Sequence, residues 1–319
     1  MSDDILKRIL EQAGVPGLFE ALTETIPPTD LQSLLLEVFR RRAARLPPRA
    51  VLEQYRGNRF VGAARLDPRD LLEFDRLAFS MLPAGFEPLE LSPVCPLGTV
   101  SVLGPVDQNN TLTTIRNTEV VSDSTNVMAL ECSLRRRKLL KADPRSSGRI
   151  RLCASARLLR TQTFDEPAAF PHFRILSLCT AGRDQGDLRF EGEALDEQAG
   201  YYLRLLLKSE DLGLDIREPR LVLFVLDKVK RERFESGLRD MLAKQAPDVS
   251  LEISPPPEDA RGYYLTARFQ IFARDPRGQD LFLVDGGFVD WTRKLLGSRK
   301  ERLLISGLGT ERLLVCFKP

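Results

Sequence analysis

The chain has one histidine, His172, and five cysteines (Cys95, Cys132, Cys153, Cys179, Cys316), none of them in a CxxC pair. So few histidines and such scattered thiols exclude the usual structural zinc sites and leave one candidate for any histidine-based triad. The odd, widely spaced cysteine set is unlike a secreted disulfide framework and fits reduced, mostly buried thiols in a cytoplasmic protein. No apolar run approaches the roughly 18 residues that cross a bilayer. The opening MSDDILKRILEQ is amphipathic and carries acids, unlike a secretory or transit peptide. An excess of one charge is missing too. With 47 Lys+Arg against 45 Asp+Glu the net charge is +2, which excludes a polycation built for nucleic acid. Internal repeats and low-complexity tracts are absent.

What is present is globular material. At 319 residues, 43% hydrophobic and 29% charged, the chain is too apolar for disorder and long enough to bury a core without staples. Length alone suggests about two domains or one large one. Residues 1–66 read as a helical N-terminal region. Ile5, Ile9 and Leu10 mark one apolar face, and a second helix starts after Pro27-Pro28, capped by Thr29 or Asp30. It carries Leu31, Leu34, Leu35, Val38 and Phe39, then Arg40, Arg41, Arg42 and Arg45 before a break at Pro47-Pro48. Arginines at a helix end suit its negative dipole, and without interleaved aromatics they do not read as an RNA patch.

Residues 67–319 read as an α+β core. A helix runs from Asp67 or Asp70 to Leu82, and an extended stretch, FEPLELSPV, follows Gly85. Strand-like runs come next: LGTVSVLG, TLTTIRNTEVVS, GRIRLCASARLLRTQTF and FRILSLCTAG. Two long helices, near 190–212 and 230–245, interrupt the rest. Pro255-Pro256-Pro257 makes a stiff loop before a hairpin of YYLTARFQIFA and DLFLVDGGFVDW. Consecutive strands joined by turns imply an antiparallel sheet flanked by helices.

Three segments carry the chemistry. Gly85 to Pro93 leads from a helix end into a strand closed by proline. Leu159-Arg160-Thr161-Gln162 ends a strand, and after the loop TFDEPAAFP a second strand returns through His172-Phe173-Arg174-Ile175-Leu176. Gly307-Leu308-Gly309-Thr310-Glu311-Arg312 is a glycine-rich strand-to-helix turn ending in arginine. Together they suit nucleotide binding without a P-loop. Arg160 on a rigid strand would grip a phosphate bidentately, and Phe173 would offer a ring face to a purine. Gly307 and Gly309 would let a ligand approach the backbone, and Arg312 would neutralise a terminal phosphate.

In this order the segments resemble the three signature motifs of class II aminoacyl-tRNA synthetases, over roughly residues 67–319. Further segments look like the histidyl-tRNA synthetase group. Asp123-Ser124-Thr125 resembles its acid-x-Thr strand segment, where the acid meets the substrate's amino group. Arg261-Gly262-Tyr263-Tyr264 resembles its Arg-Gly-x-x-Tyr-Tyr segment, and Gly286-Gly287-Phe288-Val289-Asp290 its Gly-Gly-Arg-Tyr-Asp segment. The resemblance implies ATP and Mg²⁺, with Arg160 on the α-phosphate, Arg312 on the γ-phosphate, and Gln162 and Phe173 at adenine. Asp123, Thr125, Arg261, Tyr263, Tyr264, Gly286 and Gly287 would line the substrate side, and Glu311 is a weak metal candidate.

This sequence also departs from the group. Gln162 stands where the family has an acid, Ile175 and Cys179 where it has the Gln and Glu that grip histidine, and Ile305 where it has a third glycine. Neither Ile175 nor Cys179 binds an ammonium or imidazole as those residues do, so histidine charging is not expected. Pro319 lies seven residues after Arg312, leaving no room for an anticodon-binding domain and arguing against a tRNA partner. The regulatory subunit of ATP phosphoribosyltransferase is the family's precedent for such a paralog. The expectation is therefore a ligand-binding or regulatory subunit that takes a small carboxylate or nucleotide and works with a protein partner. The alternative is an enzyme that adenylates a carboxylate for a non-tRNA acceptor. The resemblance also implies a homodimer through the segment around Pro93, a two-fold dimer being the commonest oligomer in any case.

Overall fold

The computed structural model describes residues 3–162, 170–226, 231–255 and 262–318. Four helices come first: α1 (Asp3–Ala13), α2 (Leu18–Glu20, running into a π turn at Ala21–Thr25), α3 (Pro28–Ala43) and α4 (Pro48–Gly57). Proline opens both α3 and α4, since its fixed φ suits the first helical position and its missing N–H is not needed there. The caps expected at Thr29 or Asp30 are therefore replaced by a start at Pro28, and the break at Pro47-Pro48 begins another helix. None of these four helices contains a buried residue. Arg40 and Arg41 are both held by Glu37, each at 2.7 Å.

Helix α5 (Pro68–Ser80) is capped by Asp67, whose side chain accepts from the Arg69 backbone N–H at 2.9 Å. It buries Leu71, Phe74 and Ala78 against the core. After β1 (Phe86–Pro88) come β2 (Val94–Pro96), α6 (Thr99–Leu103), β3 (Thr118–Val120) and α7 (Ser124–Ala142). Then follow β4 (Ile150–Leu159), β5 (His172–Arg183), α8 (Arg189–Lys208), β6 (Arg217–Val225), α9 (Arg231–Gln245) and β7 (Ser250–Ser254). The chain closes with β8 (Ala267–Arg274), β9 (Asp280–Val289), α10 (Trp291–Leu296), β10 (Glu301–Gly309) and α11 (Thr310–Cys316).

Eight strands form one sheet in the order β1-β4-β5-β10-β9-β8-β6-β7, while β2 and β3 pair separately. From β4 to β6 all neighbours are antiparallel, and only the edge strands β1 and β7 pair in parallel. The result is a mixed sheet in an α+β fold. Side chains alternate across it. Leu304 and Leu308 of β10 join the core under α8 and α9, whereas Leu303 and Ile305 join a second core with Met128, Ala129 and Cys132 of α7 and Trp291 of α10.

Several expectations need correcting. LGTVSVLG is not a strand; it contains α6. The extended stretch after Gly85 shrinks to the three residues of β1, with β2 following a loop. TLTTIRNTEVVS contributes only β3. Helix α7 was not anticipated. Its buried set mixes Ser124, Thr125, Asn126, Ser133 and Arg136 with Met128, Ala129 and Cys132, so no clean apolar stripe announces it. Arg136 and Glu301 form a fully buried ion pair, Nε to Oε2 at 2.8 Å and Nη2 to Oε1 at 2.9 Å. Arg136 also donates to the Gly148 carbonyl at 2.6 Å, so its donors are shared between a carboxylate and a main-chain acceptor. Most of the proposed loop TFDEPAAFP (163–169) and two of the three prolines at 255–257 lie outside the described residues.

Candidate functional site

A cavity of about 530 Å³, large enough for a small metabolite, opens on the α7 side of the sheet. Its walls come from the segment just after β4, from β5, β8, β9 and β10, and from the first turns of α7 and α11.

One end is basic. Arg160 follows β4, and the β4–β5 register, which sets Leu158 opposite Phe173, brings it beside the Phe173 ring at 5.2 Å from the centroid. Its Nε donates to the Ser122 carbonyl at 3.0 Å. Among the described residues its Nη groups have no hydrogen-bond partner, which leaves a two-pronged donor for an anion. Gln162 lines the same end, and its carbonyl accepts from Arg59 at 3.0 Å. Gly307 is glycine for a packing reason, because a Cβ there would sit 2.9 Å from Ile175 Cγ2. Gly309 leads into α11, where Arg312 reaches the cavity and donates to the Phe282 carbonyl at 3.3 Å. Glu311 is buried and ion-paired with Arg157, which also lies 2.9 Å from His172 Nδ1. Among the described residues, no three His, Cys, Asp or Glu side chains converge as a metal site. Mg²⁺ in nucleotide sites leans on phosphate oxygens and one or two carboxylates, so this donor set leaves open its entry with a nucleotide.

The other end is mixed. The segment read as an acid-x-Thr strand is instead the start of α7, with Asp123 as N-cap. Asp123 Oδ1 accepts from the Thr125 backbone N–H at 2.8 Å and from Thr125 Oγ1 at 2.7 Å. Its Oδ2 has no partner among the described residues, and so remains available to a ligand ammonium. Tyr263 and Tyr264 stand edge to face at 4.8 Å, and Tyr263 packs against Trp291 at 5.9 Å. Burial pushes both phenols well above their ordinary value, with nearby Asp123 adding to the rise at Tyr263 and Asp285 at Tyr264, so at neutral pH both are neutral hydroxyls. Tyr264 donates to Asp285 Oδ2 at 2.9 Å, and Arg268 Nε donates to Asp285 Oδ1 at 2.7 Å.

Of the residues singled out from sequence, Asp123, Thr125, Arg160, Gln162, Phe173, Tyr263, Tyr264, Gly307, Gly309 and Arg312 share this cavity. Gly286 and Gly287 do not line it. They follow Asp285 on β9 and let Phe269 and Tyr264 pack against the strand. Arg261 lies outside the described residues. Ile175 and Ile305 form apolar wall, while Cys179 is buried, opposite Ile305 in the β5–β10 register, its thiol pushed up by burial.

Sequence reasoning passed over Asn126, Arg174, Arg268 and Asp285, all in the wall. Arg174 is tied to Asp75 Oδ2 at 2.9 Å and to Ser155 Oγ at 2.9 Å. A signal for Arg268 existed: in ARFQIFAR the polar residues fall on alternate positions, one face of a strand.

No family model matches the chain, and no curated protein sequence matches it. Solved structures do. An ATP phosphoribosyltransferase regulatory subunit/histidyl-tRNA synthetase from Bacillus halodurans superposes with a TM-score of 0.59 at 13% identity, covering 82% of each chain. Apo histidyl-tRNA synthetase from S. aureus gives 0.54 at 13% identity, over 78% of this chain and 64% of that one. A histidine–tRNA ligase subunit from Alicyclobacillus acidocaldarius gives 0.51 at 15% identity, over 79% and 94%. The fold is that of the class II aminoacyl-tRNA synthetase core. Identity this low carries the fold and nothing finer.

Proposed function

We propose that this synthetase-like paralog binds a nucleotide and a small amino-acid-like carboxylate in the cavity, and acts as a ligand-binding or regulatory subunit rather than as a tRNA-charging enzyme. The observation that carries this reading is Arg160, whose open Nη pair shares one cavity with Phe173, Gly307, Gly309 and Arg312. Ile175, in the wall where the family grips histidine, argues against the usual substrate. The Bacillus halodurans neighbour, described as a regulatory subunit as well as a synthetase, supports looking for a protein partner. Adenylation of a carboxylate for a non-tRNA acceptor is the competing reading, favoured by the open Asp123 Oδ2. Arg160 and Arg312 would then stabilise charge developing on the phosphates of ATP, with Mg²⁺ bound alongside.

The test is calorimetric ATP binding beside ATP–pyrophosphate exchange over amino acids and small carboxylates. Binding without exchange is expected. Arg160→Ala, still folded by circular dichroism, should lose ATP affinity by about tenfold or more, the loss of a charge-assisted contact. Unchanged affinity would take Arg160 out of the site. Exchange with any acid would make the chain an adenylating enzyme, and aminoacylation of tRNA would overturn the proposal. We also carry a homodimer around Pro93, supported by exposed Leu97 and Val102 close to that segment in the chain, and location in the cytoplasm. Among the described residues no helix is long and apolar enough to cross a membrane. Fractionation of cells with an antibody to the chain tests the location.

A further inference from the structure

We infer that Asn126 selects the ligand at the substrate end of the cavity, and that this ligand is an amino acid with a neutral hydrogen-bonding side chain, a carboxamide or a hydroxyl. The inference rests on the amino-acid-binding part of the reading above. Asn126 is only 2% exposed, yet it lines the cavity. Among the described residues its amide makes no side-chain hydrogen bond, and its Oδ1 is the one orphaned buried side-chain atom that belongs to a cavity-lining residue here. Buried polar side-chain atoms are nearly always paired, so a buried, unpaired Oδ1 on a residue at a cavity wall points to a group that arrives later.

Placement agrees. Asn126 lies three residues after Asp123, so the two occupy one face of α7 a turn apart. A ligand ammonium on Asp123 Oδ2 would therefore direct a short side chain along that face toward Asn126. Gly104 packs beside the amide: a Cβ there would stand 3.5 Å from Asn126 Nδ2 and 3.6 Å from Tyr263 Cε2, in ordinary contact with both. Val100, Val106, Ile175 and Ile305 add apolar wall, and of the charged lining Arg268 and Asp285 are already paired with each other. In such surroundings one polar group discriminates strongly, because a ligand without a partner for it leaves the amide unsatisfied. An aliphatic carboxylate fits the wall and fails the amide. A carboxamide or a hydroxyl can pair with the amide at Nδ2 or, with the amide turned about χ2, at its oxygen.

Isosteric pairs test this on the full chain. L-threonine against L-valine and L-asparagine against L-leucine are titrated by calorimetry, with and without ATP. At least one polar member should bind about a hundredfold more tightly than its apolar isostere. Asn126→Leu should abolish or invert that preference while leaving ATP affinity unchanged. If Asn126→Leu does not fold, Asn126→Asp serves instead: with no N–H to donate, it should weaken the carboxamide ligand and admit basic side chains. Equal or tighter binding of the apolar members overturns the inference, as does a polar preference that survives in a folded Asn126→Leu. ATP binding that depends on Arg160, with no amino acid bound, sinks this inference and leaves the nucleotide reading standing. If nothing binds, both fall.

Discussion

A Cβ on Gly287 would stand 2.4 Å from Tyr264 Cδ1 and 2.9 Å from the Ala267 carbonyl oxygen. Both obstacles are fixed, one an aromatic ring packed edge to face with Tyr263, the other main chain. Gly287→Ala should therefore cost about 1–3 kcal/mol, an overpacking penalty, and shift Tyr264 from its bond to Asp285. Urea unfolding gives the first quantity and near-ultraviolet circular dichroism of the tyrosines the second. A variant as stable as the parent, with an unchanged spectrum, would show that β9 yields where the contacts say it does not. The Gly-Gly pair was legible in the sequence as a segment, but its contacts were not. Spacing identified glycines, and only the β8–β9 pairing reveals that they make room for a cavity wall. Asn126 stayed hidden for a related reason: an asparagine in a polar run is ordinary until its neighbours leave it unpaired.

Helices α8 and α9 fall close to where the sequence placed them, because Leu195, Ala199, Leu203 and Leu206 keep helical spacing. What the pattern did not reveal is the charge trapped between them. Asp196 of α8 faces Gly237 of α9, its Oδ2 3.3 Å from where a Cβ would be. Burial first, then Asp240 and Glu193, push its carboxyl up from 3.8 to about 6. A raised carboxyl binds its proton more tightly in the folded state. Its contribution is thus fully present below the unfolded value and is lost as pH rises through about 6. Asp196→Asn should stabilise the protein at pH 7 by about 1–2 kcal/mol, discounted for partial exposure, and change little near pH 3.5. Unfolding curves across that range decide it, and a gain independent of pH would exclude the proton as the cause. The same scale holds the clearest misreadings. Helices α6 and α7 were missed because the apolar and small residues of LGTVSVLG suit either element, and α7 buries polar residues where a pattern reader looks for leucine.

Across the whole molecule the apolar surface is unevenly spread. Val102 is 76% exposed and Leu97 47%, both just after β2, where a two-fold contact is proposed. Val102→Asp should convert a dimer to a monomer in sedimentation velocity without altering the circular dichroism spectrum. A parent chain that already sediments as a monomer at micromolar concentration would dispose of the dimer. Topology was legible at this scale through the hairpins and the glycine-rich turn before Arg312. The parallel edges were not, since a strand of three residues carries no alternation to read. One further consequence follows from the buried pair of Arg136 and Glu301. From Asp123 to Arg136 the helix α7 runs about 20 Å, and from Glu301 to Gly309 strand β10 runs about 26 Å. Their far ends carry Asp123 and the turn to Arg312, one jaw for each end of the cavity. The pair is the pivot of a caliper. Fully buried and bidentate, it ties α7 to the start of β10 at a point remote from the cavity, beside the apolar packing of Met128, Ala129 and Cys132 on Leu303 and Ile305.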